Sequence, residues 1–224
     1  MTYTINLFKF FFNMDDHVFR IRKAEKVNHL WKVSVLLTLV SVVVYIWMAY
    51  LGIGSDLVSR GAVGLTPEAY ESAKIWFLFG RVIYAVLFAA LVIFLPTLLF
   101  YLLTEIPYQK LLIMQQVVLV VMLIERVIWV PLMLLIGLDW YVSPLSLGII
   151  TSYITDVSWV IYFLGAISLF QLWIIWFQVK FITSLVPMRK RWIWFNVILL
   201  HILGWALTAL IAFADTYIVS GWFG

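Results

Sequence analysis

The chain has 224 residues, 65% of them hydrophobic and 12% charged, with 15 basic against 11 acidic side chains and a net charge of +4. Mean hydropathy is +1.07. An average soluble domain is about half apolar and about a quarter charged, so this composition excludes a soluble globular fold, a disordered chain and a collagen-like one. The lack of cysteine excludes disulfides, thiolate metal sites and cysteine nucleophiles.

Residues 1–30 read as a cytoplasmic or interfacial segment. Ile5, Leu7, Phe8, Phe10, Phe11 and Phe12 form an apolar cluster interrupted by Lys9. Asp15 and Asp16 stand where they can cap a helix start, and Val18, Phe19 and Ile21 alternate with Arg20, Arg22 and Lys23. The pattern predicts one or two short helices. Either their aromatics enter the acyl boundary with cations toward anionic headgroups, or they pack against the end of a bundle. Phe8, Phe11, Phe12, Arg20, Arg22 and Lys23 are the interfacial candidates.

Residues 31–224 read as a membrane domain. Five apolar runs are long enough to cross roughly 30 Å of hydrocarbon, which takes about 20 helical residues: Trp31–Ile53, Ile75–Leu103, Leu111–Gly137, Val157–Thr183 and Trp192–Ala214. They are continuously apolar rather than alternating, which excludes barrel strands. The expected fold is therefore all-α: a polytopic membrane protein with five transmembrane helices behind a short N-terminal interfacial helix. Thr66-Pro67-Glu68 is an N-cap, a proline at the first helical position and an acidic first turn, so the second helix should start ahead of its span. A tight turn around Glu105-Ile106-Pro107 should make spans two and three antiparallel neighbours. Ser143-Pro144 signals a further short helix, interfacial or re-entrant. The first apolar run begins too late and is too long for a cleaved signal peptide.

Eleven basic residues fall before span one or in the turns after spans two and four, against Arg60 and Lys74 in the remaining loops. The positive-inside rule then puts the N-terminus in the cytoplasm and the C-terminus outside. On this map Trp31, Trp176, Trp192 and Trp194 mark the inner interface, and Trp76, Trp129 and Trp159 the outer one.

Ionisable groups inside spans are the strongest site signal in such a chain. They are Arg81, Glu125, Arg126 and His201, with Gln171 placed near the level of His201. Arg81 is about 9 Å inside its span by helical rise, and Glu125 reaches a depth where the two could meet across neighbouring helices. Two readings stand side by side: a polar cavity near the outer leaflet, or an interhelical ion pair that fixes packing. Arg126 would then snorkel outward or reach Asp139 or Asp156. His17, His29 and His201 are too dispersed for a metal site, and H-E-x-x-H, G-x-S-x-G and P-loop motifs are absent from the sequence. The expectation is a non-enzyme with no metal, no cofactor and no nucleic-acid partner.

The order of elements resembles the bacterial branch of the Yip1 domain family. Asn6-Leu-Phe-Lys-Phe-Phe-Phe leads through Val18-Phe-Arg-Ile to a span opening at Trp31. Pro107-Tyr-Gln-Lys-Leu-Leu opens span three, Leu169-Phe-Gln-Leu-Trp173 lies in span four, and Pro187-Met-Arg-Lys forms the basic turn. The resemblance implies a five-helix protein of the bacterial cytoplasmic membrane. It also implies an accessory subunit, its partners being the lipid bilayer and an ABC-type export or envelope-stress resistance system. The alternative is a small transporter or lipid-handling protein whose cavity uses Arg81, Glu125, Arg126 and His201. The sequence leaves the oligomeric state open.

Overall fold

In hydrocarbon a helix satisfies its own backbone, and the chain is built accordingly. The structure, a computed structural model, describes residues 2–55, 58–59, 64–137, 143 and 145–214. The elements, in chain order, are β1 (Thr2–Thr4), α1 (Leu7–Phe12), α2 (Met14–Lys23), β2 (Lys26–Asn28), α3 (Leu30–Tyr50), α4 (Pro67–Thr104), α5 (Tyr108–Ile136), α6 (Leu147–Ser152), α7 (Ser158–Gly165), α8 (Leu169–Leu185) and α9 (Lys190–Ala214). Among the described residues, α3, α4, α5 and α9 are long and apolar enough to cross a membrane. The chain divides into two compact units, Met1–Val130 and Pro131–Gly224. The division falls at the proline inside α5.

In the first unit, the N-terminal segment folds before the first long helix. β1 and β2 pair in parallel with Tyr3 opposite Val27, and α1 and α2 form the connection between them. This small sheet departs from the expected all-α fold. Its three-residue strands, Thr-Tyr-Thr and Lys-Val-Asn, carry β-branched and aromatic residues but are too short to show a period. Asn6 caps α1, its side chain accepting from the Lys9 N–H at 3.0 Å. Asn13, not Asp15 or Asp16, occupies the N-cap position of α2; the two aspartates sit in its first turn, where they complement the helix dipole.

Helix α3 packs antiparallel on α4. Trp31 meets Phe94 near one end, the Ser41 hydroxyl donates to the Ala85 carbonyl midway, and Tyr45 meets Tyr84 and Phe88 toward the other. α4 starts as expected, with Thr66 accepting from the Ala69 N–H, Pro67 at the first position and Glu68 in the first turn. Its 38 residues rise about 57 Å, well beyond the hydrocarbon thickness, so it must tilt or project. Glu105 ends it in the left-handed conformation, φ 57°. Tyr101 and Tyr108 meet edge to face across the turn into α5. The polar ties of α5 run to α3 and the N-terminal segment: Gln116 Nε2 donates to Leu30 O and Ser34 Oγ, and Lys110 Nζ to Arg22 O.

In the second unit the run Val157–Thr183, expected as one span, is two helices. α7 ends at Gly165 and α8 begins at Leu169, with Ser168 capping α8 through the Gln171 N–H. The break is built. Ser168 pairs with Ser146 in an antiparallel bridge, with Leu147 N donating to Ile167 O and Leu169 N to Leu145 O. A serine that can cap a helix competes with continuing one, and the bridge stabilises the capped alternative. The short helix signalled by Ser143-Pro144 exists as α6, but it starts at Leu147 with Ser146 as its cap. α6 lies against α7, and α9 against α7 and α8.

The α6–α7 approach rests on two glycines. A Cβ on Gly148 would stand 2.7 Å from the Gly165 Cα, a backbone atom that cannot swing aside. Gly148→Ala should therefore destabilise the protein by about 1–3 kcal/mol. Gly204→Ala, at a helical position with open space around it, should be neutral or stabilising by up to about 1 kcal/mol. Thermal unfolding of both variants in mild detergent tests the contrast; equal behaviour would contradict the glycine contact.

Candidate functional site

The candidate residues fall in both units, Arg81, Glu125 and Arg126 in the first, Gln171 and His201 in the second. Each set is described within its own unit.

Helix α3 ends in a Schellman motif. Gly52 adopts φ 77°, the Ile53 N–H reaches back to Met48 O at 3.0 Å and the Gly52 N–H to Ala49 O at 3.0 Å, with Ile53 and Met48 both buried. Arg81 on α4 faces this end. Its Nη2 donates to Ile53 O at 3.0 Å and Gly54 O at 3.2 Å, and its guanidinium lies 5.0 Å from the Phe77 ring centroid. A cation beside the C-terminal end of a helix is favoured by the helix dipole as well as by the hydrogen bonds. Glu125, the partner expected for Arg81, is buried on α5 of the same unit. α3 supplies a carbonyl cluster at the level of Arg81, and carbonyls satisfy a guanidinium without desolvating a second charge.

Arg126 lies over the Trp129 ring at 4.1 Å, one helical turn along α5. This is a cation–π contact; Asp139, one of the carboxylates expected within its reach, lies outside the described residues. Two turns into α5, Gln115 and Gln116 are fully buried. Gln116 joins α5 to α3, whereas neither polar atom of Gln115 has a hydrogen-bond partner.

In the second unit, His201 Nε2 lies 2.9 Å from Gln178 Oε1. The polar partner of His201 is therefore Gln178, two turns along α8 from Gln171. The level expected for Gln171 came from counting along one continuous span. In the structure α8 runs on to Leu185, and the short turn into α9 sets which residues stand opposite. The His201 ring also packs against Trp205, which meets Phe163 of α7 edge to face.

The N-terminal segment holds a site the sequence did not signal. Tyr3 Oη lies 2.8 Å from His17 Nδ1, with Phe10 packed on the same imidazole. Burial pushes the Tyr3 phenol up to about 12 and the His17 imidazole down, so the bond joins a protonated phenol and a neutral ring. Around it Phe10 is buried while Phe8 and Phe12 are 75% and 73% exposed, their rings in contact at 5.1 Å. Lys23 sits over Phe19 at 4.3 Å. Arg20 pairs with Asp16, and the Arg22 carbonyl receives Lys110. The interfacial candidates thus present an exposed face of aromatics and cations, while Phe10 packs inward.

Two measurements follow. Arg81→Leu strands the α3 carbonyls and should cost about 1.5–3 kcal/mol on thermal unfolding; an unchanged midpoint would contradict the carbonyl contact. His17 has a folded pKa below its unfolded value near 6.5. Its contribution should be complete above about pH 6.5 and fall as the pH drops through the folded pKa, because the unfolded chain takes up the proton first. Hydrogen exchange of the Tyr3 and Val27 amides, corrected for intrinsic rate, should lose protection at acid pH in the native protein and respond less in His17→Phe.

No family model, curated protein or solved structure matches this chain.

Proposed function

We propose that the chain is a non-enzymatic integral membrane protein of the Yip1 type, acting as an accessory subunit beside an ABC-type export or envelope-stress resistance system in the bacterial cytoplasmic membrane. Five crossings, the fourth made by α7 and α8 in tandem, leave the N-terminus inside and the C-terminus outside. The observation that carries this reading is how the intramembrane polar groups are used. Arg81 closes the end of α3, Gln116 ties α5 to α3, Arg126 lies on Trp129 and His201 bonds Gln178. These are fastenings between and along helices. Meanwhile broad apolar faces stay uncovered: Leu87, Leu91 and Leu95 on α4, and Leu203, Leu207 and Leu210 on α9, are each at least 46% exposed. Such faces suit lipid or the helices of a partner.

One observation favours the small-transporter or lipid-handling reading. Gln115 buries an amide with no partner, a costly arrangement unless water or a solute reaches it. Gln115→Leu separates the two: it should be neutral or stabilising for a packed subunit, and should abolish flux for a transporter.

Reporter fusions at Gly224 and after Met188 should report opposite compartments; matching compartments would end the five-crossing topology. Purification of the tagged full chain in mild detergent should retain an ATPase-linked membrane partner in stoichiometric amount. Solute flux by the isolated chain in proteoliposomes, without any partner, would instead establish the transporter.

A further inference from the structure

Lys180, Arg189, Lys190 and Arg191 flank the turn between α8 and α9. Two of these cations meet at a cavity of about 220 Å³ between the end of α8 and the start of α9, lined by Trp176, Lys180, Thr183, Ser184, Lys190 and Trp194. The Lys180 ammonium is 5.2 Å from the Trp176 ring. The Thr183 and Ser184 hydroxyls donate back to the Val179 and Lys180 carbonyls, at 2.7 and 2.8 Å. Their protons are therefore committed to the helix, and the ammonium groups are the cavity's charged donors.

Chemistry changes in order along both helices. On α8 the i,i+4 stripe runs Leu172, Trp176, Lys180, Ser184; on α9 it runs Ile198, Trp194, Lys190. Leu172, Trp176 and Ile198 are exposed, at 52%, 44% and 39%. Away from the turn each stripe is apolar, then indole, then ammonium. That sequence matches acyl chain, interfacial glycerol and phosphate in a lipid, with tryptophan at the level it prefers in a bilayer. Basic pockets between membrane helices are suited to anionic headgroups.

The geometry points to a binding site for the phosphate group of an anionic glycerophospholipid in this cavity. Lys180 and Lys190 hold the phosphate, and the exposed stripes carry the acyl chains. The site is independent of which protein partner the chain has.

The test uses the full chain in a neutral maltoside detergent. Dioleoyl-phosphatidylglycerol and dioleoyl-phosphatidylcholine are added in turn, and bound lipid is counted by native mass spectrometry. Phosphatidylglycerol should be retained in preference. Lys180→Gln with Lys190→Gln should weaken it roughly 30-fold, at the level of one polybasic contribution per lysine. Arginine at both positions should restore it, and Lys9→Gln should leave it unchanged. Inorganic phosphate at equal concentration should not displace it. Equal retention of the two lipids in the native chain would overturn the site without recourse to any variant. So would unaltered binding in the double glutamine variant. Full displacement by inorganic phosphate would assign the cavity to a free anion and overturn the lipid.

Discussion

Helix α3 is fastened to other helices at three levels by side-chain hydrogen bonds, and the first unit depends on those fastenings. At its start Gln116 donates to the Leu30 carbonyl and the Ser34 hydroxyl. Midway its own Ser41 donates to the Ala85 carbonyl of α4. Past its end Arg81 donates to Ile53 O and Gly54 O. Between apolar helices in lipid there is little hydrophobic drive to prefer one register over another, so close packing and interhelical hydrogen bonds set it. Three polar contacts spaced along one helix define a register that dispersion alone would leave loose.

Donors in these contacts are side chains, and most acceptors are backbone carbonyls. A carbonyl already bonded within a helix retains a second lone pair, so it can accept without breaking the ladder. Ser41 uses Ala85 in that way. The carbonyls after α3 are different, because the Schellman end leaves them outside the ladder. A guanidinium reaches both with one arm, at less desolvation cost than bringing a carboxylate to it. In the second unit the same economy appears as Ser146 and Ser168, which cap the starts of α6 and α8 and form a bridge beside the Gly148–Gly165 contact. Polar atoms thus set the places where helices begin as well as where they touch.

Long apolar helices were legible because composition and run length alone define them: α3, α4, α5 and α9 lie where the hydropathy puts them, and Thr66-Pro67-Glu68 begins α4 as its chemistry requires. What hydropathy does not register is a break inside an apolar run. Ala166-Ile167-Ser168 interrupts Val157–Thr183 with one polar residue, and its consequence depends on Ser146, more than twenty positions earlier. His201 meets Gln178 and not Gln171 because the turn from α8 into α9 sets which residues stand opposite. The carbonyl partners of Arg81 were hidden for another reason. Opposite charge is visible in a sequence, whereas a backbone carbonyl is present at every residue and so marks none. Gly52 and Gly54 were the available signal, since two left-handed glycines after an apolar run indicate a helix end with carbonyls turned outward.

The N-terminal segment shows how a short stretch becomes part of the unit it precedes. β1 and β2 bring residues 2–4 and 26–28 together, and α1 and α2 fill the space between with Phe10, Val18 and Ile21, all buried. That is a small core, and such cores are marginal unless something else holds them. Here the Tyr3–His17 bond joins strand to helix, and Lys110 joins the end of α2 to the start of α5. The left-handed His29 then turns the chain directly from β2 into α3, with no linker to allow swivel. Because Phe10 is occupied inside, Phe8 and Phe12 are presented outward on α1. Exposed aromatic and basic groups on a backbone tied down in this way lose less conformational freedom on meeting a membrane surface or a partner than the same residues on a free tail, which favours the contact.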